Sequence, residues 1–161
     1  MYNTYMKPTI HFMHGFVASG KSTFAKKLAA DKDIRRLNID DMYVEKYGSK
    51  ADNQVTPEIW SDLHKQLWQE VADSIASGKD IIVDLGHWSK GARNAARDKA
   101  EKLGANHVFY NIITDEKTAL ERLAKRNIEQ PNMYYPTEKY MERKQFFDPI
   151  SEDEEFVLIK N

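Results

Sequence analysis

A glycine-rich turn between a short apolar strand and a helix constrains this chain more than any other feature. The predicted strand is Thr9–Met13, and the predicted helix begins near Ser22. Between them, residues Gly15 to Thr23 read GFVASGKST and fit the pattern G-x-x-x-x-G-K-[ST]. Glycines in such a turn let backbone N–H groups converge on an anion, and the helix N-terminus adds its positive end. The pattern therefore predicts a binding site for the phosphates of a nucleoside triphosphate.

Individual roles follow from the chemistry of that turn. Lys21 is predicted to reach the β- and γ-phosphates, where its charge would also serve catalysis. The Ser22 hydroxyl is predicted to ligate Mg²⁺. The other predicted nucleotide contacts in the turn are Gly15, Ala18, Ser19, Gly20 and Thr23.

Strands alternate with helices along the rest of the chain. Helices are predicted over Ser22–Ala30, from Pro57 after a Thr56 cap to Gly78, over Lys90–Leu103, after a Thr114 cap, and from Thr137 after an Asn132–Pro136 loop. The further predicted strands are Leu37–Ile39, Ile81–Val83, His107–Ile113 and Phe156–Ile159. This order predicts a three-layer, doubly wound α/β fold in one domain, 1–161, with ligands at the carboxyl ends of the strands.

Acidic residues follow two of the predicted strands. Asp84 comes directly after Ile81–Val83, where a carboxylate is placed to orient Mg²⁺ or its water, although it could instead cap the next turn. Asp40 and Asp41 follow the second strand. One of them could accept the proton of an attacking hydroxyl, and we favour Asp40 over Asp41. The alternative is that both only cap the helix that follows.

Two pairs of arginines are each spaced four residues apart on a predicted helix. Arg122 and Arg126 therefore share a face and could clamp phosphates, although position alone favours a solvated role. Arg93 and Arg97 invite the same hypothesis with less support. Trp88 is predicted to be core rather than a stacking platform.

Charge and composition limit the classes of function. The 161 residues carry 24 Lys+Arg and 25 Asp+Glu, so the near-neutral chain is unlike a protein devoted to nucleic acid or acidic membranes. A local nucleic-acid surface is an open alternative, since a basic stripe could be formed by Lys90, Arg93, Arg97, Lys99 and Lys102. Residues 151–155 are predicted to form a solvated acidic turn.

Cysteine content and hydropathy bear on compartment. The chain has no cysteine, which excludes disulfides, thiolate metal sites and a cysteine nucleophile. Its sequence has no apolar run long enough to span a bilayer, and Met1 to Pro8 lacks the apolar run of a signal peptide. We therefore expect a short leader before the first strand, a cytoplasmic protein and no membrane partner.

Taken together, these residues resemble a family of small bacterial P-loop ATP-binding proteins described as predicted kinases. That family is related to the kinase domain of polynucleotide kinases and more distantly to zeta toxins and gluconate kinase. The resemblance covers about Ile10 to Val157. The segments that match its motifs are His14–Thr23, Asn38–Met42, Asp84–Arg93, Arg122–Asn127 and Phe146–Pro149.

The resemblance implies a P-loop kinase fold with five parallel strands, a short helical lid, and ATP with Mg²⁺ as donor. It implies that Arg122 and Arg126 are lid residues, with Arg126 catalytic, and it supports Asp40 as base. Two positions depart from the pattern. Ala18 replaces the usual glycine of the turn, and Tyr43 stands where polynucleotide kinases carry an arginine three residues after the catalytic Asp.

The sequence thus predicts an ATP-dependent phosphotransferase acting on a hydroxyl of a small molecule. The alternatives are a kinase for RNA or DNA 5′-hydroxyl ends, favoured if a basic surface exists, and an ATP-binding or ATPase regulatory module. The complete set of Lys21, Ser22, Asp40 and Asp84 argues against a non-catalytic module.

Overall fold

The computed structural model describes residues 6–48 and 55–161, in which five strands form one sheet. All the strand pairs are parallel, and the strand order is β2-β3-β1-β4-β5. The strands are β1 (Thr9–His14), β2 (Arg35–Leu37), β3 (Ile81–Val83), β4 (Asn106–Ile113) and β5 (Val157–Lys160). The predicted α/β fold is confirmed, while residues 1–5 of the predicted leader lie outside the described ranges.

The helices connect these strands across both faces of the sheet. Several begin where a side-chain cap satisfies a first-turn amide, as when Thr56 Oγ1 accepts from the Ile59 N–H and Ser89 Oγ from the Ala92 N–H. The helices are α1 (Lys21–Lys32), α2 (Ile39–Tyr47), α3 (Pro57–Ala76), α4 (Lys90–Lys102), α5 (Glu116–Glu129) and α6 (Thr137–Lys144).

Alternate strand residues face opposite layers, because side chains alternate along a strand. Phe12 packs in one buried cluster with the Leu63–Ile75 face of α3 and with Ala96 of α4. Its neighbour Met13 packs on the other face with Ala25 of α1. The central strand β1 is thus covered on both sides, and only its carboxyl end remains for a ligand.

The second strand ends earlier than predicted. β2 stops at Leu37, and Asn38 instead caps α2, its side-chain oxygen accepting from the Asp41 N–H at 3.0 Å. Asparagine is a strong N-cap, and this local bond competes with strand pairing. Asp40 therefore lies in the first turn of α2 rather than in a loop after a strand.

The predicted Thr114 cap is also wrong. Asp115 caps α5 by accepting from the Thr118 N–H at 2.9 Å, whereas the Thr114 hydroxyl donates to the Asn161 carbonyl. Smaller differences are a 3₁₀ turn at Pro131–Met133 inside the predicted loop and a final strand shifted by one residue. Within the two described ranges, no helix combines the length and apolar composition that a membrane crossing requires.

Candidate functional site

The glycine-rich turn lies at the centre of the carboxyl edge of the sheet. β1 is paired with β3 on one side and β4 on the other, with Phe12 in register with both Val83 and Phe109. This register places Asp84, the residue after β3, beside the point where β1 enters the turn. Parallel topology therefore brings together groups that are 60 to 70 residues apart in the chain.

The start of α1 has the geometry of an anion site. Its N-cap, Gly20, has a φ of 98° and no side-chain cap, and the first helical bond runs from the Phe24 N–H to the Gly20 carbonyl at 3.0 Å. The amides of Lys21, Ser22 and Thr23 precede that bond and have no partner within the helix. Such amides, at the positive end of the helix, are the donors that the predicted phosphate site requires.

Two positions of the turn show why small residues are needed. Ala18 has a φ of 59°, a left-handed conformation that costs a non-glycine residue about 1–2 kcal/mol. The replacement of the usual glycine by alanine therefore preserves the backbone shape at the expense of strain. At Gly15 a Cβ would lie 2.6 Å from the Ile112 carbonyl oxygen and from Ser19 Oγ, so there is no space for a side chain.

Lys21 lies folded against the turn. Its Nζ donates to the Phe16 carbonyl at 2.7 Å. Burial lowers the pKa of Lys21 to about 8, and the nearby carboxylates of Asp84 and Asp40 oppose that shift. The ammonium is therefore still charged at pH 7, in a partly desolvated position where an incoming phosphate would replace a weak backbone acceptor.

Asp40 and Arg126 approach Lys21 from different elements. Burial lowers the pKa of Arg126, and Asp40 and Tyr135 act in the opposite direction, which places the Asp40 carboxylate near the guanidinium. Arg126 Nε is buried and has no hydrogen-bond partner among residues 6–48 and 55–161. An unsatisfied buried guanidinium N–H is costly unless a ligand supplies an acceptor. The predicted base and lid arginine thus converge on the predicted phosphate site.

The second arginine predicted to belong to a lid, Arg122, contacts the turn from its exposed side. Arg122 Nη1 lies 3.5 Å from the Ser19 carbonyl oxygen, and its residue is exposed. The side chain of Asn127, the residue after Arg126, donates to the Tyr135 carbonyl and accepts from the Tyr135 N–H. These two bonds join the end of α5 to the segment before α6.

Helices α5 and α6 also pack directly on the turn. Phe16 places its ring 4.9 Å from the rings of Trp88 and Tyr140 and 5.3 Å from that of Phe147. Tyr140 belongs to a cluster with the buried face of α5, to which Phe16, Val17 and Ala18 add. Trp88, predicted to be core, is half-buried and in ring contact with the turn.

Asp84 presents its two carboxylate oxygens to different surroundings. Only 2% of the residue is exposed. Oδ2 accepts from Arg36 and Asn38, whereas Oδ1 has no hydrogen-bond partner in the described part of the chain. Asp84 also raises the pKa of Lys21, so the carboxylate lies near the phosphate site.

This donor set fits magnesium. Mg²⁺ binds through few protein ligands, keeps several waters and takes substrate phosphates as further ligands. The Ser22 side chain is exposed at the first turn of α1, and Asp84 Oδ1 is an orphaned acceptor. No group of three or more His, Asp or Glu residues able to hold a metal ion occurs in the described ranges. A metal here would therefore depend on the nucleotide.

Arg36 is a site residue that the sequence interpretation missed. Its guanidinium bridges Asp84 and Asp41, donating to Asp41 Oδ2 at 2.6 Å. Asp41 is thereby engaged at the exposed surface, while Asp40 is the residue whose charge acts on Lys21 and Arg126. Nothing in the local pattern around Arg36 indicated its contact with Asp84, because that contact depends on the register of β2 with β3.

Two buried histidines connect β1 with the segment after β3. His14 Nδ1 lies 3.0 Å from the His87 carbonyl oxygen, and His87 Nδ1 lies 2.9 Å from the Met13 carbonyl oxygen. Each contact requires a proton on Nδ1. Burial lowers the pKa of both histidines to about 4, so both are neutral at pH 7. The pair therefore fixes the entry to the phosphate turn without carrying charge.

These histidines predict a loss of stability in mild acid. The folded pKa of each is about 4, below the ordinary 6.5, so between those values the unfolded chain binds more protons and stability falls as the pH falls. From pH 7 to pH 5 we expect a loss of about 2 kcal/mol for each histidine.

The test is denaturant unfolding of wild type and His14→Asn at both pH values. Asparagine can keep the donor that His14 Nδ1 supplies but does not titrate, so the variant should lose about 2 kcal/mol less than wild type. His107→Asn is the control, since His107 lies at an exposed position; burial also lowers the pKa of His107, so this variant should change the pH dependence by less than His14→Asn does. An equal pH dependence in wild type and His14→Asn would contradict the assignment.

Arg93 is fully buried, which corrects two expectations. Its guanidinium donates to Glu154 at 2.7 and 2.8 Å and to the carbonyls of His87 and Asp148. Glu154 also accepts from Arg97, and these bonds hold its pKa well below the usual range. Residues 151–155 are thus not a fully solvated acidic turn, because Glu154 is buried among these donors.

Most residues of the predicted basic stripe on α4 are engaged by other side chains of the protein. Arg93 and Arg97 bind Glu154, and Lys90 Nζ donates to Asp153 at 2.7 Å. Lys99 lies over the Trp68 ring at 4.2 Å. Pairing with Glu154 and Asp153 offsets the charge of Arg93, Arg97 and Lys90, whereas Lys99 and Lys102 lie exposed on the surface.

Removing Arg93 should destabilise the fold. Arg93→Met leaves the buried Glu154 carboxylate without its main partner, which costs about 3–5 kcal/mol in a comparable buried pair. Arg97→Met is the matched control, since it removes the other, partly exposed partner of Glu154 and should cost less. Chemical denaturation of both variants gives the comparison. An Arg93→Met loss no larger than that of Arg97→Met would contradict a central role for this pair.

The parallel five-stranded sheet, the glycine-rich turn after its central strand and the strand-end Asp84 define a P-loop α/β protein. A family model described as "AAA domain" matches residues 10–150. The chain therefore belongs to that family.

Comparison with known proteins supports the same class. The chain is 32% identical over 80 residues to a shikimate kinase of Chloroherpeton thalassium, a match that spans 50% of this chain and 42% of that protein. A chain in the structure of a Pnkp1/Rnl/Hen1 RNA repair complex superposes with a TM-score of 0.76 at 22% identity, over 90% of this chain and 45% of that one. This chain thus spans less than half the length of both.

Other solved structures share the fold at lower identity. Kti12 from Chaetomium thermophilum, in complex with ADP-AlF3, has a TM-score of 0.72 at 15% identity, over 94% of this chain and 88% of that one. A gluconokinase from Sinorhizobium meliloti has a TM-score of 0.63 at 14% identity, over 96% and 83% of the two chains. These likenesses show the fold, and they confirm the resemblance to P-loop kinase-like proteins.

Proposed function

We propose that this protein transfers the γ-phosphoryl group of ATP to a hydroxyl group of a small molecule. The observation that carries the proposal is that the charges of Asp40 and Arg126, from two other helices, both act on Lys21, the first residue of α1, whose N-terminal amides lack helical partners. The family and the kinases among its relatives support the same reaction class.

Each residue has a part in the proposed reaction. The amides of the turn and Lys21 hold the β- and γ-phosphates, and Arg126 offsets the charge that develops on the transferred group. Asp40 accepts the proton of the acceptor hydroxyl as its oxygen attacks phosphorus, and the bond to the ADP oxygen breaks. Ser22 and Asp84 would hold Mg²⁺, which neutralises charge on the β- and γ-phosphate oxygens when it is bound. Arg122 binds the nucleotide from outside the turn.

A small acceptor is supported by what surrounds the site. Tyr43, which stands where polynucleotide kinases carry an arginine, is completely buried in the main core cluster and faces away from solvent. Three of the basic residues of α4, Lys90, Arg93 and Arg97, are engaged with Glu154 and Asp153. Neither feature provides contacts for the backbone of a nucleic-acid strand.

A second candidate is a kinase for RNA or DNA 5′-hydroxyl ends. The likeness to a chain of the Pnkp1/Rnl/Hen1 RNA repair complex favours it. It differs from the first proposal only in the acceptor, so one assay separates the two.

The experiment offers γ-labelled ATP and Mg²⁺ to pools of sugars, polyols and other small hydroxyl compounds, and in parallel to 5′-hydroxyl oligonucleotides at low salt. We expect label in a small product, and none when Lys21 is replaced by alanine. Efficient 5′ labelling that disappears in Asp40→Asn would establish the second candidate instead. Hydrolysis of ATP with no labelled acceptor in either arm would indicate an ATPase module and contradict the proposal.

A further inference from the structure

Arg36 and Asp84 form the most buried ion pair at the edge of the site, and both belong to strand ends. Arg36 Nε and Nη2 both donate to the same oxygen, Asp84 Oδ2, at 2.8 and 2.5 Å. Asn38 Nδ2 donates to that oxygen as well, at 3.2 Å, and to the Asp84 carbonyl at 2.9 Å. The Asp84 side chain is 1% exposed and that of Arg36 is 13% exposed.

This arrangement differs from the usual bidentate pair, in which each arginine N–H takes its own carboxylate oxygen. Here three N–H donors share Oδ2, and Oδ1 has no hydrogen-bond partner in the described ranges. A buried carboxylate oxygen without a donor is costly, and such an atom in a folded protein calls for an explanation. The acceptor without a partner is thus the carboxylate oxygen that Arg36 does not contact.

We infer that Arg36 is a positioning residue that fixes Asp84 so that Oδ1 alone accepts a hydrogen bond from a water of the nucleotide-bound Mg²⁺. The inference rests on the proposed use of ATP with Mg²⁺. With Oδ2 saturated and its charge offset by the guanidinium, the carboxylate is a better acceptor for a metal-bound water than a direct metal ligand.

Arg36 has a second contact that extends its effect. Its Nη1 donates to Asp41 at 2.6 Å, in the first turn of α2 next to Asp40. The guanidinium therefore connects Asp84, at the end of β3, with α2, the helix that carries the proposed base Asp40. Replacing Arg36 therefore removes the side chain that holds both Asp84 and Asp41.

The neighbouring residue offers a matched control. Arg35 belongs to the same strand and also pairs with a carboxylate, Glu70 of α3, but its side chain is 62% exposed and makes no contact with Asp84. Arg35→Gln removes the same charge one position away. It should leave the response to Mg²⁺ unchanged.

The experiment measures binding of a non-hydrolysable ATP analogue by calorimetry, in EDTA and across a MgCl₂ titration. Wild type should bind more tightly with Mg²⁺. In Arg36→Gln we expect the affinity in EDTA to stay within about twofold, while the gain from Mg²⁺ falls by about tenfold or more, as for other residues that orient a metal ligand. Arg36→Lys keeps the charge with fewer donors and should recover part of the gain.

Three results would overturn the inference: a full Mg²⁺ gain in Arg36→Gln, the same loss in Arg35→Gln, or a wild type whose affinity does not respond to Mg²⁺. If Arg36→Gln does not fold, Arg36→Lys decides, since a gain equal to wild type also overturns it. Phosphoryl transfer is measured separately. A wild type that binds Mg²⁺ and nucleotide but phosphorylates nothing defeats the proposed function, whereas the binding data still judge Arg36.

Discussion

Asp40→Asn is expected to lower the rate of phosphoryl transfer by about 10²–10⁴-fold while ATP still binds. Asparagine keeps the shape of the side chain and its place in the first turn of α2 but cannot accept the proton of the attacking hydroxyl. The lost negative charge also removes a group that raises the pKa of Lys21 and Arg126, so both should titrate at somewhat lower pH. Single-turnover transfer and ATP binding, measured on the same preparation, separate the two effects.

Asp41→Asn is the control, because the two acids are adjacent in the first turn of one helix. Asp41 is held by Arg36 at the surface, and its replacement should lower transfer by less than about tenfold, a loss of position rather than of the base. If Asp41→Asn abolished transfer and Asp40→Asn did not, the role of base would pass to Asp41.

Lys21→Ala is expected to weaken ATP binding by about 10–100-fold, the effect of losing a charged hydrogen bond to phosphate, and to lower transfer further. The melting temperature without ligand should change little. Among the residues that the structure describes, Lys21 Nζ donates to the Phe16 carbonyl alone, and burial disfavours its charge, as its pKa of about 8 indicates. Removing it therefore costs the empty protein little.

Calorimetric titration with ATP and a thermal melt without ligand test both statements. Lys26→Ala, on an exposed position of the same helix, controls for the loss of a positive charge near the nucleotide. Unchanged ATP affinity in Lys21→Ala would exclude the phosphate-turn interpretation. A large fall in melting temperature would instead mean that Lys21 supports the fold.

Local patterns predicted most of the fold. The Thr56 cap, helix α4 and the buried run Ile81–Val83 depend on neighbours in sequence, and the structure has these elements at or next to the expected places. Predictions failed where a local alternative competed. The sequence predicts a strand over Leu37–Ile39. Instead, the Asn38 side chain accepts a hydrogen bond from the Asp41 N–H, and a helix begins there.

The residues of the candidate site likewise fall into those that the local sequence indicates and those that depend on tertiary contacts. Gly15 to Thr23 and Asp84 could be recognised because a motif and a strand end each confine the chemistry to a few adjacent residues. Arg36 could not, because its partner lies 48 residues away and the contact exists only through the pairing of β2 with β3. The sequence likewise indicated Arg93 as one cation of a stripe, although it is a buried partner of Glu154.

The sequence by itself determined that this chain is a parallel α/β protein with the glycine-rich turn of a P-loop protein, since periodicity and motif spacing are local properties of the chain. Only the tertiary structure decided which charged residues lie beside the candidate site and which are paired with other side chains elsewhere in the protein. Arg36 and Arg93 are both arginines near a strand end or helix start, yet one pairs with Asp84 beside the candidate site and the other is buried with Glu154. The difference arises because a buried charge needs a partner, and partners far apart in sequence meet only when the sheet forms.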